Sequence, residues 1–468
     1  MNRALALAVS AFAAGFGALA VLRHRSLTTG RFDLGNMVQA VWSTADGDPL
    51  AVTNLGGEQT TRLASHFDPI LVLFAPLWLA WPSPEALLVA QAVALALGAL
   101  PVFWLARKHL ESERAGLGFA LAYLLFPATQ WVALSEFHPV ALACPLLLLA
   151  FWFLDEDRLL PFALCAAAAC ATKEEIPLAI AGLGLWYALA RRRWVAGIAI
   201  AVAGAATAAF ALGVVEHFND GGSPFAGRYE EVGGSPTGIL KTLVTDPLAI
   251  ARALFDREGL VYLLALLVPL AFLPLATPLA LLPAVPDLVL NLLSSTSTQT
   301  SIHFHYVAPI VPALFAAAIF TAARIERQVV KPLVALVLVS NFVLGAIPVW
   351  GAIPGGEDLQ SGAALISDHD RIAARALRLI PDDAVVSASN SLGAHLSARR
   401  RFLSFPIRGD ATWIAVDERS PGYLDRFAPG PYALAIARLR RDPSWELVFA
   451  EDGVLVFRAE SSAAAGTP

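Results

Sequence analysis

Charge and cysteine are scarce in this sequence. Only 15% of the 468 residues are charged, against ~25% in a soluble domain, so a single water-soluble globule is excluded. The three cysteines, Cys144, Cys165 and Cys170, lie in apolar runs. They lack zinc spacing and cannot build a disulfide framework, which leaves helix packing as their role. Lysine stands only at positions 108, 173, 241 and 331. There is no G-x-x-x-x-G-K-[ST] loop, no H-E-x-x-H pair and no G-x-S-x-G elbow, which disfavours an ATP-driven machine, a zinc protease of that type and an α/β-hydrolase. Energy must then come from a gradient or an activated substrate. The net charge of -5, with no basic tract interleaved with aromatics, excludes a nucleic-acid partner.

What remains is apolar. Hydrophobic residues make up 57% of the chain and the mean hydropathy is +0.62. Runs near the length that crosses a ~30 Å hydrocarbon core recur along it. Charge punctuation places spans at 4–22, 84–106, 115–134, 138–154, 159–171, 176–190, 194–215, 259–273, 277–293, 306–323 and 332–349, about eleven in all. Residues 69–81 fit an interfacial helix. The small residues Gly17-Ala18-Leu19-Ala20 also suit a cleavage site, but the many spans that follow favour a retained helix. Segments 23–68 and 216–258 are polar outer loops, and the second reads as irregular.

The positive-inside rule puts Arg107/Lys108, Arg191–Arg193 and Arg324/Arg327/Lys331 in the cytoplasm. The amino terminus is then inside and the carboxyl tail outside a plasma (inner) membrane. Arg23 and Arg25, just outside the first span, are the one opposing signal. From 353 the composition changes. Alternating stretches at 384–387, 413–416, 446–449 and 454–457, interleaved with helical patterns at 369–380 and 431–440, predict an extracytoplasmic α/β domain over 353–460. Residues 461–468 read as a disordered tail. The fold class is therefore an all-α polytopic membrane domain over 1–352 with this α/β domain after it.

Ionisable groups at membrane depth are costly and point to function. This topology sends nearly all of them to one side: Asp33, His66 and Asp68 in the first outer loop, Glu136 and His138 at the next turn, Lys173, Glu174 and Glu175 at the third, and His303, His305 and Tyr306 where the chain re-enters. Each has a structural reading as well. Asp33 and Asp68 suit helix starts, and Asp68-Pro69 and His138-Pro139 put proline at a first helical turn. Lys173 with its two glutamates suits an ion-paired plug. His303 and His305 form only a short H-x-H, a weak metal signal.

Together, Phe32-Asp33-Leu34-Gly35-Asn36, His66-Phe67-Asp68-Pro69, Glu136-Phe137-His138-Pro139, Lys173-Glu174-Glu175 and His303-Phe304-His305-Tyr306 resemble a prokaryotic family of predicted multi-pass membrane proteins of unknown function. The resemblance runs over roughly 30 to 410 and includes Ser389-Asn390-Ser391-Leu392-Gly393-Ala394-His395-Leu396-Ser397, Arg400 and Phe405-Pro406. More distantly, the layout is similar to the GT-C superfamily of membrane glycosyltransferases, such as protein mannosyltransferases and lipid A aminoarabinose transferases. Those enzymes carry an acid in the first outer loop, where Asp33 stands, and an aromatic-proline interfacial helix comparable with 66–81. Thr172-Lys173 matches part of a Thr-Lys-Gly motif, with Glu174 in place of the glycine, and His305-Tyr306 with Pro309 and Pro312 looks like a late basic-Tyr-proline pattern.

That resemblance implies transfer of a sugar from a polyprenyl-phosphate donor to an extracytoplasmic glycan, lipid or protein acceptor. In it, Asp33 is the catalytic base. Lys173, His303, His305 and Tyr306 hold the donor phosphate, and His66, Asp68, Glu136, His138, Glu174 and Glu175 contact substrate. Glu174 and Glu175 would repel a phosphate unless they pair elsewhere, face away or hold a metal. No cofactor is required by the sequence, and a divalent metal stays an open option. Two other readings also stand: a proton-coupled transporter or flippase of a polar or lipid-linked solute, and a non-enzymatic membrane scaffold.

Overall fold

The computed structural model describes residues 2–219, 226–325, 327–346 and 366–460. The expected junction at 352/353 and the tail 461–468 lie outside them. The chain divides into two compact units that alternate along the sequence: the first takes 1–18, 63–70 and 89–361, and the second takes 19–62, 71–88 and 362–468.

The first unit is helical. Among the described residues three helices are long and apolar enough to cross a membrane: Arg3–Arg25 and Pro84–Leu110, whose residues divide between the two units, and Trp194–Phe218. A fourth candidate is the pair Glu113–Leu125 and Pro127–Leu134, bent by 49°. The bend has a local cause, because Pro127 lacks the N–H that would continue the ladder and pushes Phe126 out of helical geometry; Phe126 is extended, at ψ 124. The other expected spans include shorter apolar helices, among them Pro139–Asp155, Leu159–Cys170, Ile176–Ala190, Pro278–Leu293, Val311–Ile325 and Val330–Leu344. The span expected at 259–273 breaks after Leu267, where Pro269 is followed by Ala271 and Phe272 in the left-handed region (φ 50 and 56).

Helices 176–190 and 194–218 pack backbone to backbone through small residues. A Cβ added at Gly184 would lie 2.5 Å from the Ala201 amide nitrogen, and one at Gly197 would lie 2.5 Å from that of Ala188. Such approach is how helices associate where lipid removes the hydrophobic drive. The segment read as an irregular outer loop holds two short helices, Pro236–Thr245 and Pro247–Leu254. Each starts at a proline in the first turn, preceded by a capping side chain, Ser235 to the Gly238 amide and Asp246 to the Ala249 amide.

The second unit is α/β. Strands β1 (Ala51–Thr53) and β2 (Gln59–Thr61) form an antiparallel hairpin. Strands β3 (Val386–Ala388), β4 (Phe402–Ser404), β5 (Trp413–Asp417), β6 (Trp445–Glu451) and β7 (Val454–Ala459) form a five-stranded sheet in the order β4-β3-β5-β7-β6. β3 runs parallel to β4 and β5, and β7 antiparallel to β5 and β6. All four alternating stretches of the sequence contain strands. Period-2 patterning sorts their side chains: Ala415, Val454 and Val456 pack with Ala373 and Ala376 of helix Asp368–Leu377. Ile414, Val416, Leu455 and Phe457 pack with Tyr432 and Ile436 of helix Pro429–Leu439.

A charged clasp ties helix 368–377 to the sheet. His369 has Nε2 2.9 Å from Asp417 and Nδ1 3.0 Å from Asp452. Burial alone would lower the imidazole pKa, but the hydrogen bonds and charge of Asp417 and then Asp452 raise it above its ordinary value. Arg419 is the cation that faces Asp452 from the neighbouring turn. A raised folded-state value means that this stabilisation is complete below the unfolded histidine pKa of ~6.5 and fades as pH climbs through the folded value. Unfolding of the second unit, followed by hydrogen exchange of strands β5 and β7, is expected to become easier from pH 6 to pH 8. His369→Asn should flatten that slope, and an unchanged slope in the variant would detach it from the clasp.

Candidate functional site

The first unit gathers most of the ionisable residues singled out from the sequence. The turn Ala171–Glu175 joins helices 159–170 and 176–190, and the chain from His66 lies against it, with the Ile70 amide donating to the Ala171 carbonyl at 3.0 Å. Glu174 fastens the two: Oε1 is 2.8 Å from His66 Nδ1, and Oε2 accepts the Phe67 amide at 3.0 Å. Lys173 Nζ is 2.6 Å from Glu175 Oε1 and sits 5.2 Å from the centre of the Tyr306 ring. The two glutamates thus have separate tasks, Glu174 as a loop anchor and Glu175 as the counter-ion of Lys173.

Tyr306 is the hub. Its ring also carries the Arg228 guanidinium at 5.8 Å, and Arg228 Nη1 donates to its hydroxyl at 3.4 Å. Its carbonyl accepts from Asn291, and its ring lies 4.1 Å from that of His305. His305 stacks on His138 with ring centres 3.6 Å apart and 18° between planes. His303 turns to a different neighbourhood, edge-on to Trp131 at 4.6 Å with Nδ1 2.7 Å from Ser301 Oγ. The two histidines of the H-x-H therefore do not face a common point. Among the described residues no group of three or more His, Cys, Asp or Glu side chains is arranged to hold a metal ion. Asp68 is buried on the His66 turn. Glu136, at positive φ (30), hands its carbonyl to Gln91, whose Oε1 accepts the His138 amide.

Two groups of this site escaped the sequence reading. Asp287 is 4% exposed and within electrostatic reach of Glu175 and Lys173. It lies within the span expected at 277–293, where a lone carboxylate in an apolar run meets the same cost criterion as Lys173. Arg228 lies in the polar segment taken for loop, where an arginine carries no such signal.

Asp33 belongs to the second unit. It lies in a π-helical turn, Arg31–Gly35, that leads into helix Asn36–Ala45, and neither start is capped by a side chain. Single π turns in otherwise helical segments concentrate at functional sites. The turn is shaped by the carboxyl-terminal stretch noted in the sequence. Asn390 Oδ1 accepts the Phe32 amide at 3.0 Å, and a Cβ on Gly35 would meet Ser397 Oγ at 2.5 Å. Arg31, 1% exposed, donates to the Thr53 carbonyl and stacks 5.3 Å over Phe402. Gln39 joins the Thr53 amide (2.9 Å) to the Arg399 carbonyl (3.1 Å).

The first unit is helical with ionisable groups at its inter-helix turns, and the second is α/β and carries an acid on an early turn. The chain is similar in fold to ArnT from Cupriavidus metallidurans, whose crystal structure is in the apo state, with a TM-score of 0.53 and 14% identity over 96% of this chain and 98% of that one. It belongs to the family described as "Predicted membrane protein (DUF2079)", which matches residues 23–456. No curated protein matches the chain.

Proposed function

We propose that the protein transfers a sugar from a polyprenyl-phosphate donor to a hydroxyl of an extracytoplasmic glycan, lipid or protein. The observation that carries this reading is the pair of cations, Lys173 and Arg228, that both lie against the Tyr306 ring, within a GT-C-like fold. In the reaction, the acceptor oxygen gives its proton to the Asp33 carboxylate and attacks the anomeric carbon. The anomeric C–O bond to the lipid phosphate breaks, and its electron pair leaves with the phosphate. Stabilising that phosphate needs preorganised positive charge. Arg228 brings a forked donor set and Lys173 a point charge. Glu175 keeps Lys173 in place until the donor competes for it.

His66, Asp68, Glu136 and His138 are then sugar or acceptor contacts, and the α/β domain expected over 353–460 lies outside the membrane. Discontinuous helices, here the 49° break at Phe126-Pro127, also occur in carriers, which makes transport of a lipid-linked or polar solute the second reading.

The test is binding of a polyprenyl phosphate to the full-length protein in nanodiscs, with Arg228→Gln beside it. Saturable binding weakened about tenfold in the variant is the expected result. Absence of binding to a folded protein would sink the transferase reading and bring solute transport forward.

A further inference from the structure

The basic clusters used to orient the chain meet in space. A cavity of about 620 Å³ in the first unit is lined by Arg191, Arg192, Arg324 and His109, with Asp155 as the acid. That acid is committed already: it lies 2.7 Å from Lys108 Nζ, 2.9 Å from His109 Nε2 and 3.5 Å from Arg191 Nη1. Arg193 turns away to Asp157 at 2.8 Å. Arg192 and Arg324 are exposed, and neither has an ion-pair partner among the described residues. Among the described residues the cavity therefore carries more positive than negative charge.

Its shape is built. The tight turn between helices 176–190 and 194–218 holds Arg192 at φ 57, a left-handed conformation that disfavours any side chain but glycine's hydrogen. An arginine held there at a cost fits a functional demand on its position. Behind the charges the wall is aromatic, with Trp186 and Phe320 stacked 5.9 Å apart and the His109 ring edge-on to Phe320 at 4.8 Å. Leu189 and Leu279 line the same cavity and are 42% and 41% exposed. A site with guanidinium groups, an aromatic wall and exposed leucines suits an anion joined to an apolar body.

We infer that this cavity is a phosphate site for the headgroup of an anionic phospholipid, separate from the Lys173–Tyr306 site. Arg192 and Arg324 hold the phosphate oxygens, as forked donors do, and the leucines meet the glycerol and acyl chains. Basic pockets between membrane helices bind acidic headgroups on the cytoplasmic side, the side on which the positive-inside rule puts these arginines. A free phosphate would use the same donors, so the experiment separates the two sources.

Full-length protein is analysed by native mass spectrometry after exchange into detergent with phosphatidylglycerol or phosphatidylcholine. In parallel, phosphatidylglycerol adducts are competed with inorganic phosphate. Arg192→Ala/Arg324→Ala is compared with the parent in each arm. Both side chains are exposed and have no ion-pair partner among the described residues, so the variant keeps the fold, and polyprenyl-phosphate binding, which belongs to the other site, serves as its control. The expected result is preference for phosphatidylglycerol by about tenfold, lost in the double variant and little affected by millimolar phosphate. Full displacement by inorganic phosphate would reassign the site to a soluble phosphate. Equal adducts in parent and variant, or no preference over phosphatidylcholine, would overturn it.

Discussion

Asp33→Asn is expected to reduce sugar transfer by about 10²–10⁴-fold, the range that a positioned general base contributes, while stability changes by less than ~1 kcal/mol. The argument rests on how the turn is held. Its backbone is fixed by Asn390 and by close packing on Ser397, and helix 36–45 begins without any side-chain cap. Asparagine keeps the size of the side chain and removes only the basicity. The measurement is turnover of a panel of polyprenyl-phosphate sugars by full-length protein in nanodiscs, with a denaturation curve for both proteins. Undiminished turnover by the asparagine variant would remove Asp33 from the chemistry.

The second large effect is on stability. Lys173→Met leaves Glu175 without its 2.6 Å partner in a site that also holds Asp287, and both carboxylates are largely buried. Removing one member of a buried pair costs roughly 3–5 kcal/mol, because the remaining charge keeps its desolvation penalty. Adding Glu175→Gln should recover most of that loss, so the double variant comes within ~1–2 kcal/mol of the parent. Denaturant titration of the four proteins of this cycle gives the coupling directly. Additive losses would mean that the pair does not act as a unit.

Much of the fold was legible for physical reasons. Strands β5 and β7 read as short, nearly unbroken apolar runs because one face is covered by helix 368–377 and the other by helix 429–439, and those runs are written in the residues. Strand β4 has only three residues and follows three arginines, too short a stretch for any period to register. The helices at 236–245 and 247–254 hid behind serine, aspartate and proline, which mark loops and helix starts alike. At the site, the cost of burying charge picked out Lys173 and its neighbours. Arg228 is called in by Tyr306 from 78 residues away, and no local pattern encodes such a meeting.

The turn that bears Asp33 is completed by residues made last. Phe32 finds its acceptor 358 positions on, at Asn390, and Gln39 finds Arg399 360 positions on. A ribosome adding about 5–20 residues each second therefore releases this turn many seconds before its partners exist. Until then the Arg31 guanidinium has no Phe402 to lie on. The early segment waits, unshaped, while the intervening helices are inserted. A nascent chain cut short anywhere before residue 390 thus carries the acid without the residues that hold its turn, so only a copy translated past Phe402 can shape the Asp33 turn as it stands here.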